Sequence, residues 1–257
     1  MLNNTCVITF SGSPVHRDYQ KEFHRLYGHL FGKHIEYTYD WLKTTDFFYN
    51  NSQVFKYDKY AGYFLWKPYI INKTLRENPD MEVLYCDSNL RFTNWSSFEN
   101  VYLTLMDLQG AFFVKHDNFV NRDWTKRDTF IMMRCDEEKY WNAHQVWTPL
   151  MGFSHTKNIQ TLLNDYMTAC RVPEVVTEIP NVYGENLPGF REHRWEQSVM
   201  SILVEKYGYN GIPDSQMMKW ITKEYSPELI KMKEEINANP LSEHFQPLRP
   251  DIPDKSR

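Results

Sequence analysis

Met81-Glu-Val-Leu-Tyr-Cys-Asp-Ser-Asn89 is an apolar run that passes without a gap into three polar residues. The first six read as a buried strand, and Asp87-Ser88-Asn89 as the loop at its carboxyl end. Upstream, Tyr63-Phe-Leu-Trp-Lys-Pro-Tyr-Ile-Ile-Asn-Lys-Thr-Leu75 predicts a helix from about Lys67 to Glu77. Pro68 suits its first turn, where an amide needs no intrahelical partner, and Asn78-Pro79 stops it. Further back, Cys6-Val-Ile-Thr-Phe10 reads as a strand closed by the tight loop Ser11-Gly12-Ser13-Pro14. Asp18 to Phe31 carries apolar groups at a helical period, and His34 to Tyr39 alternates like a strand. Strand, helix, strand, helix, strand is the α/β order, which implies a mainly parallel central sheet flanked by helices.

Beyond residue 90 the pattern is less regular. Phe112–Val114, Thr129–Met133 and Gln145–Phe153 are candidate strands. Asn158–Ala169 and Glu196–Tyr207 have helical spacing. Residues 226–257 hold five prolines, and the expectation there is a helix from about Pro227 to Ile236 and then an extended tail.

Composition narrows the function. Across 257 residues, Lys+Arg is 29 and Asp+Glu is 33, a net charge of −4, which argues against a general nucleic-acid binder. No apolar run reaches the ~18 residues a spanning helix needs. The start, MLNNTCVITF, lacks the basic and apolar regions of a secretory signal. Cys6, Cys86, Cys135 and Cys170 form no CxxC pair, so they read as reduced thiols of a cytoplasmic protein. The 8 Trp, 17 Tyr and 16 Phe supply rings that either fill the core or stack on sugars and bases.

Three segments carry candidate chemistry, each with a plain structural alternative. In an extended segment Asp87 and Asn89 would face one way and offer two oxygens to a hard divalent cation; equally, Asp, Ser and Asn are common turn formers. Lys67, at a helix amino terminus, would add charge to an anion site; equally, it is a surface lysine beside a core Trp66. In Phe190-Arg-Glu-His-Arg-Trp-Glu-Gln-Ser198, Glu196 and Gln197 open a helix. An acid there suits the helix dipole, and it could also take a proton from a hydroxyl at a site rim.

Taken in order, Gly62-Tyr-Phe-Leu-Trp-Lys-Pro-Tyr-Ile-Ile71, Val83-Leu-Tyr-Cys-Asp-Ser-Asn89 and His193-Arg-Trp-Glu-Gln-Ser-Val-Met-Ser-Ile-Leu203 resemble a family of GT-A-type glycosyltransferases of polysaccharide and glycan synthesis. The likeness covers about residues 5–210. It implies a GT-A-like catalytic domain over 1–225, with a nucleotide-binding half (1–90) and an acceptor half (91–225), followed by the helix and tail of 226–257. It implies a nucleotide diphosphate-sugar donor, a divalent cation (Mn²⁺ or Mg²⁺), and a glycan, polysaccharide or glycoconjugate acceptor, with peripheral contact to a membrane as one setting.

Carried over position by position, Thr9, Phe10, Ser11 and Gly12 would meet the nucleoside, and Tyr39 and Asp40 the base or ribose. Trp66, Lys67, Ser88 and Arg194 would line the donor site. Asp87 and Asn89 match an Asp-x-Asp metal–diphosphate motif; His244 in the tail is a candidate third ligand, the plain alternative being a solvated side chain. Glu196 and Gln197 match the acid–Gln pair beside the reacting carbon. The chain departs from the pattern at Asn89, which removes one negative charge, and at Glu196, which stands one methylene longer than the usual Asp. Thr148-Pro149 replaces a smaller pair near the acceptor. Two other readings stay open: a catalytically weak glycan- or nucleotide-binding protein on the same fold, and a sugar nucleotidyltransferase, which would need more glycine than Gly12 near the amino terminus.

Overall fold

A computed structural model describes residues 1–57, 59–228, 230, 231 and 234. Its strands are β1 (Leu2–Ser11), β2 (Phe31–Thr38), β3 (Glu82–Cys86), β4 (Leu90–Phe92), β5 (Ala111–Phe112), β6 (Val114–Val120), β7 (His144–Val146), β8 (Leu150–Phe153), β9 (Ile212–Pro213) and β10 (Ile221–Lys223). The central sheet has the order β2-β1-β3-β8-β5. β1 pairs in parallel with β2 and β3, while β8 is antiparallel to both β3 and β5. Only β8 is therefore reversed, and the expected mainly parallel α/β sheet is what forms. Two smaller sheets, β7-β6-β9 and β10-β4, lie beside it.

The apolar runs are continuous because both faces of the sheet are covered. Alternate side chains divide between two cores. Cys6, Ile8 and Phe10 of β1, Val83 and Tyr85 of β3, and Met151 and Phe153 of β8 join one. Val7, Leu84, Cys86 and Leu150 join the other. The first core is closed by the helices Trp66–Glu77, Lys157–Cys170 and Trp195–Lys206, the second by Phe23 of the Pro14–Tyr27 helix and by Phe98, Tyr102 and Met106 of the Trp95–Gln109 helix. Gly152 is the seam: a Cβ there would sit 2.7 Å from Tyr102 Cε2 and 2.9 Å from Phe112 Cβ.

Several expectations are corrected. Thr129–Met133 is not a strand but falls mostly in the helix Arg127–Met132, whose Phe130 packs with Cys135, Tyr140 and Ile202. A short apolar run does not discriminate the two when the segment is buried. Gln145–Phe153 is not one strand; it breaks at Trp147–Pro149 into β7 and β8, which belong to different sheets. The first helix starts at Pro14 rather than Asp18, with Ser13 Oγ capping His16 N–H, and Phe31 already belongs to β2. Tyr39–Leu42, Asp46–Asn50, Ser52–Phe55 and Tyr60–Tyr63 form short helical turns. The expected Pro227–Ile236 helix and the tail lie largely outside the described residues. Among the described residues, no helix is long and apolar enough to cross a membrane.

Candidate active site

Open α/β sheets bind ligands beyond the carboxyl ends of their strands. At the ends of β1 and β3 lies a cavity of about 340 Å³, a size suited to a small ligand. Phe10, Gly12, Tyr39, Trp66, Lys67, Asp87, Ser88, Asn89, Arg194, Glu196 and Gln197 all line it. Thr9, Ser11 and Asp40 do not. Thr9 points into the fold, where its hydroxyl accepts from Gln20 Nε2 at 2.9 Å. Ser11 is buried. Asp40 is exposed and pairs with Lys43 at 3.0 Å. His244 lies outside the described residues.

Lys67 and Glu196 are separated by 129 positions and meet as a buried ion pair, each side chain 3% exposed. Lys67 Nζ also donates to Thr148 Oγ1 at 3.3 Å, and that hydroxyl donates to Glu196 Oε1 at 3.0 Å. Thr148, a departure from the family pattern, is thus the third member of this network. Burial pushes the Glu196 carboxyl above its ordinary range, while Lys67 and the Thr148 hydroxyl pull the other way. Its place in the first turn of the Trp195–Lys206 helix favours the charged form.

The backbone before Lys67 is unusual. Tyr60, Ala61, Gly62, Tyr63 and Phe64 all have positive φ, at 51, 54, 80, 51 and 64°. This is a left-handed turn, costly for every residue except Gly62. A Cβ on Gly62 would also meet Phe55 Cδ1 at 2.5 Å. Trp195, just before Glu196, is left-handed too, with φ 51°. Strain of this kind collects at functional sites. Here it brings Tyr60 against Phe64 and Trp195, with ring centroids 4.8 Å apart in both pairs, to form one wall of the cavity. Phe10 stacks on Trp66 at 3.7 Å on another.

Asp87 does not present its carboxylate as an extended strand would. The chain turns at once, with Leu90 N–H donating to Asp87 O at 3.1 Å, so the i, i+2 argument for Asp87 and Asn89 is replaced by a turn. Asp87 Oδ1 accepts from Tyr85 Oη at 2.6 Å, and Oδ2 from Lys223 Nζ at 2.7 Å. Burial alone would raise the Asp87 carboxyl, but Lys223 and Lys67, aided by those hydrogen bonds, outweigh it and hold it at about 2. Burial and the Asp87 charge keep the Tyr85 phenol protonated, as a donor must be. Asn89 Nδ2 donates to Glu224 O at 2.7 Å.

This donor set does not fit the divalent cation that the family resemblance implies. Both Asp87 oxygens already accept from protein donors, one of them a full cation. Among the described residues, no group of three His, Cys, Asp or Glu converges to hold a metal.

His193 is structural. Its Nδ1 accepts from Lys126 N–H at 3.3 Å and its Nε2 donates to Val175 O at 2.9 Å. Burial, with Lys126 nearby, holds it neutral at about 3. Gln197 Nε2 donates to Gln145 Oε1 at 3.1 Å, and Arg194 lies over the Trp124 ring at 4.6 Å. Sequence reading missed Lys223, His16, Tyr60, Phe64 and Trp195, all of which line the cavity.

No protein-family model matches the chain, and no curated protein does. Among solved structures it is similar to a glycosyltransferase involved in the glycosylation of the major capsid of PBCV-1, at 12% identity over 91% of this chain and 99% of that one, with a TM-score of 0.43. It is also similar to mouse xyloside xylosyltransferase 1 in its apo form, at 13% identity over 80% of this chain and 71% of that one, with a TM-score of 0.43. At that level of likeness neither structure decides the chemistry of this cleft, which its own side chains carry.

Proposed function

We propose that this chain is a glycosyltransferase that moves a hexosyl or pentosyl group from a nucleotide diphosphate-sugar to a hydroxyl of a glycan, polysaccharide or glycoconjugate acceptor. One observation carries the reading: residues far apart in sequence, Lys67, Asp87, Glu196 and Gln197, line a single cavity at the carboxyl ends of β1 and β3. In this reading the nucleoside lies against Phe10, Gly12 and Tyr39. Lys67 meets the negative charge that grows on the leaving diphosphate, an electrostatic stabilisation that counts for more in a water-poor cleft. Glu196 stands beside the reacting carbon. In an inverting transfer it accepts the proton of the acceptor hydroxyl, a task its raised carboxyl suits. In a retaining transfer Glu196 and Gln197 shield the cationic sugar instead. The anomeric configuration of the product separates the two.

The test is a thermal-shift panel of UDP-, GDP- and dTDP-sugars, followed by assay of nucleoside diphosphate release with simple glycan acceptors. A donor at ~100 times its dissociation constant stabilises by ~2.7 kcal/mol. No shift with any donor sinks the proposal.

A further inference from the structure

We infer that Lys223 takes the place of a divalent cation at the donor diphosphate, so that donor binding by this chain does not depend on metal. The inference rests on the donor site proposed above. Lys223 ends β10, which pairs antiparallel with β4, so Lys223 stands opposite Leu90, directly after the Asp87-Ser88-Asn89 turn. The next residue is tied to the same turn from both sides. Glu224 N–H donates to Asn89 O at 2.9 Å, and Asn89 Nδ2 donates to Glu224 O at 2.7 Å. Arg91 adds an ion pair to Glu224 at 2.9 Å. The ammonium is therefore held against the turn by backbone pairing rather than by a free side chain.

It lines the cavity and contacts Asp87 Oδ2 at 2.7 Å, where a ligated metal would sit. An ammonium has three N–H donors. One goes to Asp87, and the ammonium also lies over the Trp147 ring at 5.7 Å; what remains of its donor capacity is available to phosphate oxygens in the cavity. A divalent ion ligated by Asp87 would have to displace Lys223 and then sit beside it, with Lys67 lining the same cavity. Asn89 fits this arrangement: Asp87 alone balances the single charge of the ammonium, and the Asn89 amide adds no second negative charge while donating to Glu224 O.

Calorimetric titration with UDP, GDP and dTDP, each in EDTA and again in Mn²⁺, tests the inference. At least one nucleotide should bind wild type in EDTA, with an affinity that Mn²⁺ changes by less than ~3-fold. Lys223→Met should weaken it ~10- to 100-fold in EDTA, the size of a lost charged hydrogen bond, and Lys223→Arg should restore most of it. In Lys223→Met, Asp87 is released, and Mn²⁺ should now tighten binding, which a merely structural defect would not do. Tightening of wild type by Mn²⁺ of ~10-fold or more overturns the inference and leaves the donor reading standing. Wild-type affinity in a folded Lys223→Met also overturns it. No binding of any of the three nucleotides in either condition overturns both. If Lys223→Met does not fold, the wild-type comparison decides.

Discussion

Replacing Lys67 by methionine keeps most of the side-chain volume and removes the charge opposite Glu196, where both side chains are 3% exposed. The stranded carboxylate has one escape, which is to take up a proton. The cost of doing so sets a ceiling on the damage. Glu196 starts from an ordinary value of 4.5, and each pH unit above it costs ~1.4 kcal/mol for a carboxyl forced neutral. At pH 7 the ceiling is ~3.4 kcal/mol, and at pH 5 it is ~0.7 kcal/mol. A chain of 257 residues has an unfolding entropy that converts ~0.5 kcal/mol into one degree. Lys67→Met should therefore lower Tm by at most ~6 °C at pH 7 and at most ~1 °C at pH 5. The sign follows from Glu196: its folded carboxyl is raised, so the burden exists when it must be charged and fades as pH falls. Scanning calorimetry of wild type and variant at several pH values measures the gap. A gap that stays constant between pH 5 and 7 would mean that the loss comes from packing and not from a buried charge.

Glu196→Gln should lower turnover by ~10²-fold or more while nucleotide binding survives. Wild-type kcat/KM should show an acid limb above the ordinary 4.5 that the variant lacks, and a limb at or below that value would remove Glu196 from the proton step. Asp87 is held at about 2 against an ordinary 3.8, so its stabilisation is present above pH 4 and lost as pH falls toward 2. Asp87→Asn should accordingly cost ~2 kcal/mol at pH 7 in urea unfolding, with the gap to wild type closing below pH 4. Ala61→Gly should raise stability by ~1 kcal/mol, since glycine holds φ 54° without the Cβ clash; an unchanged or lower Tm would show that the left-handed turn carries no strain. Gly152→Ala should lose ~1–3 kcal/mol by overpacking against Tyr102 and Phe112, read from the urea midpoint.

The parallel half of the sheet was legible because the middle of β1 and all but the first residue of β3 are buried on both faces, which leaves short, mostly apolar runs (Cys6–Phe10 and Val83–Cys86) in the sequence. The site was legible in part for a local reason: Trp66-Lys67-Pro68 and Glu196-Gln197 sit at helix starts, which short sequence signals mark. What sequence did not show has physical causes. The Trp95–Gln109 helix went unread, although Asn94 caps it by accepting from Ser97 N–H at 3.1 Å and Gly110 ends it with φ 70°. Its core face, Phe98, Tyr102 and Met106, is mixed with exposed Leu103 and Leu108, which blurs the period. The role of Lys223 depends on a pairing 136 positions away from Asp87, which no local window contains. The alternation argument for Asp87 and Asn89 failed because the chain turns there, and turn chemistry was written in the same three residues.

The separations of 129 and 136 positions in the two ion pairs also set an order of assembly. A ribosome delivers Lys67 and Asp87 within the first 90 residues and their opposite charges only after residue 195. Until then the nascent protein carries one early cation and one early anion with neither final partner. The cavity lining is thus completed by the late arrival of Glu196 and Lys223, and a chain stopped before residue 196 would lack both.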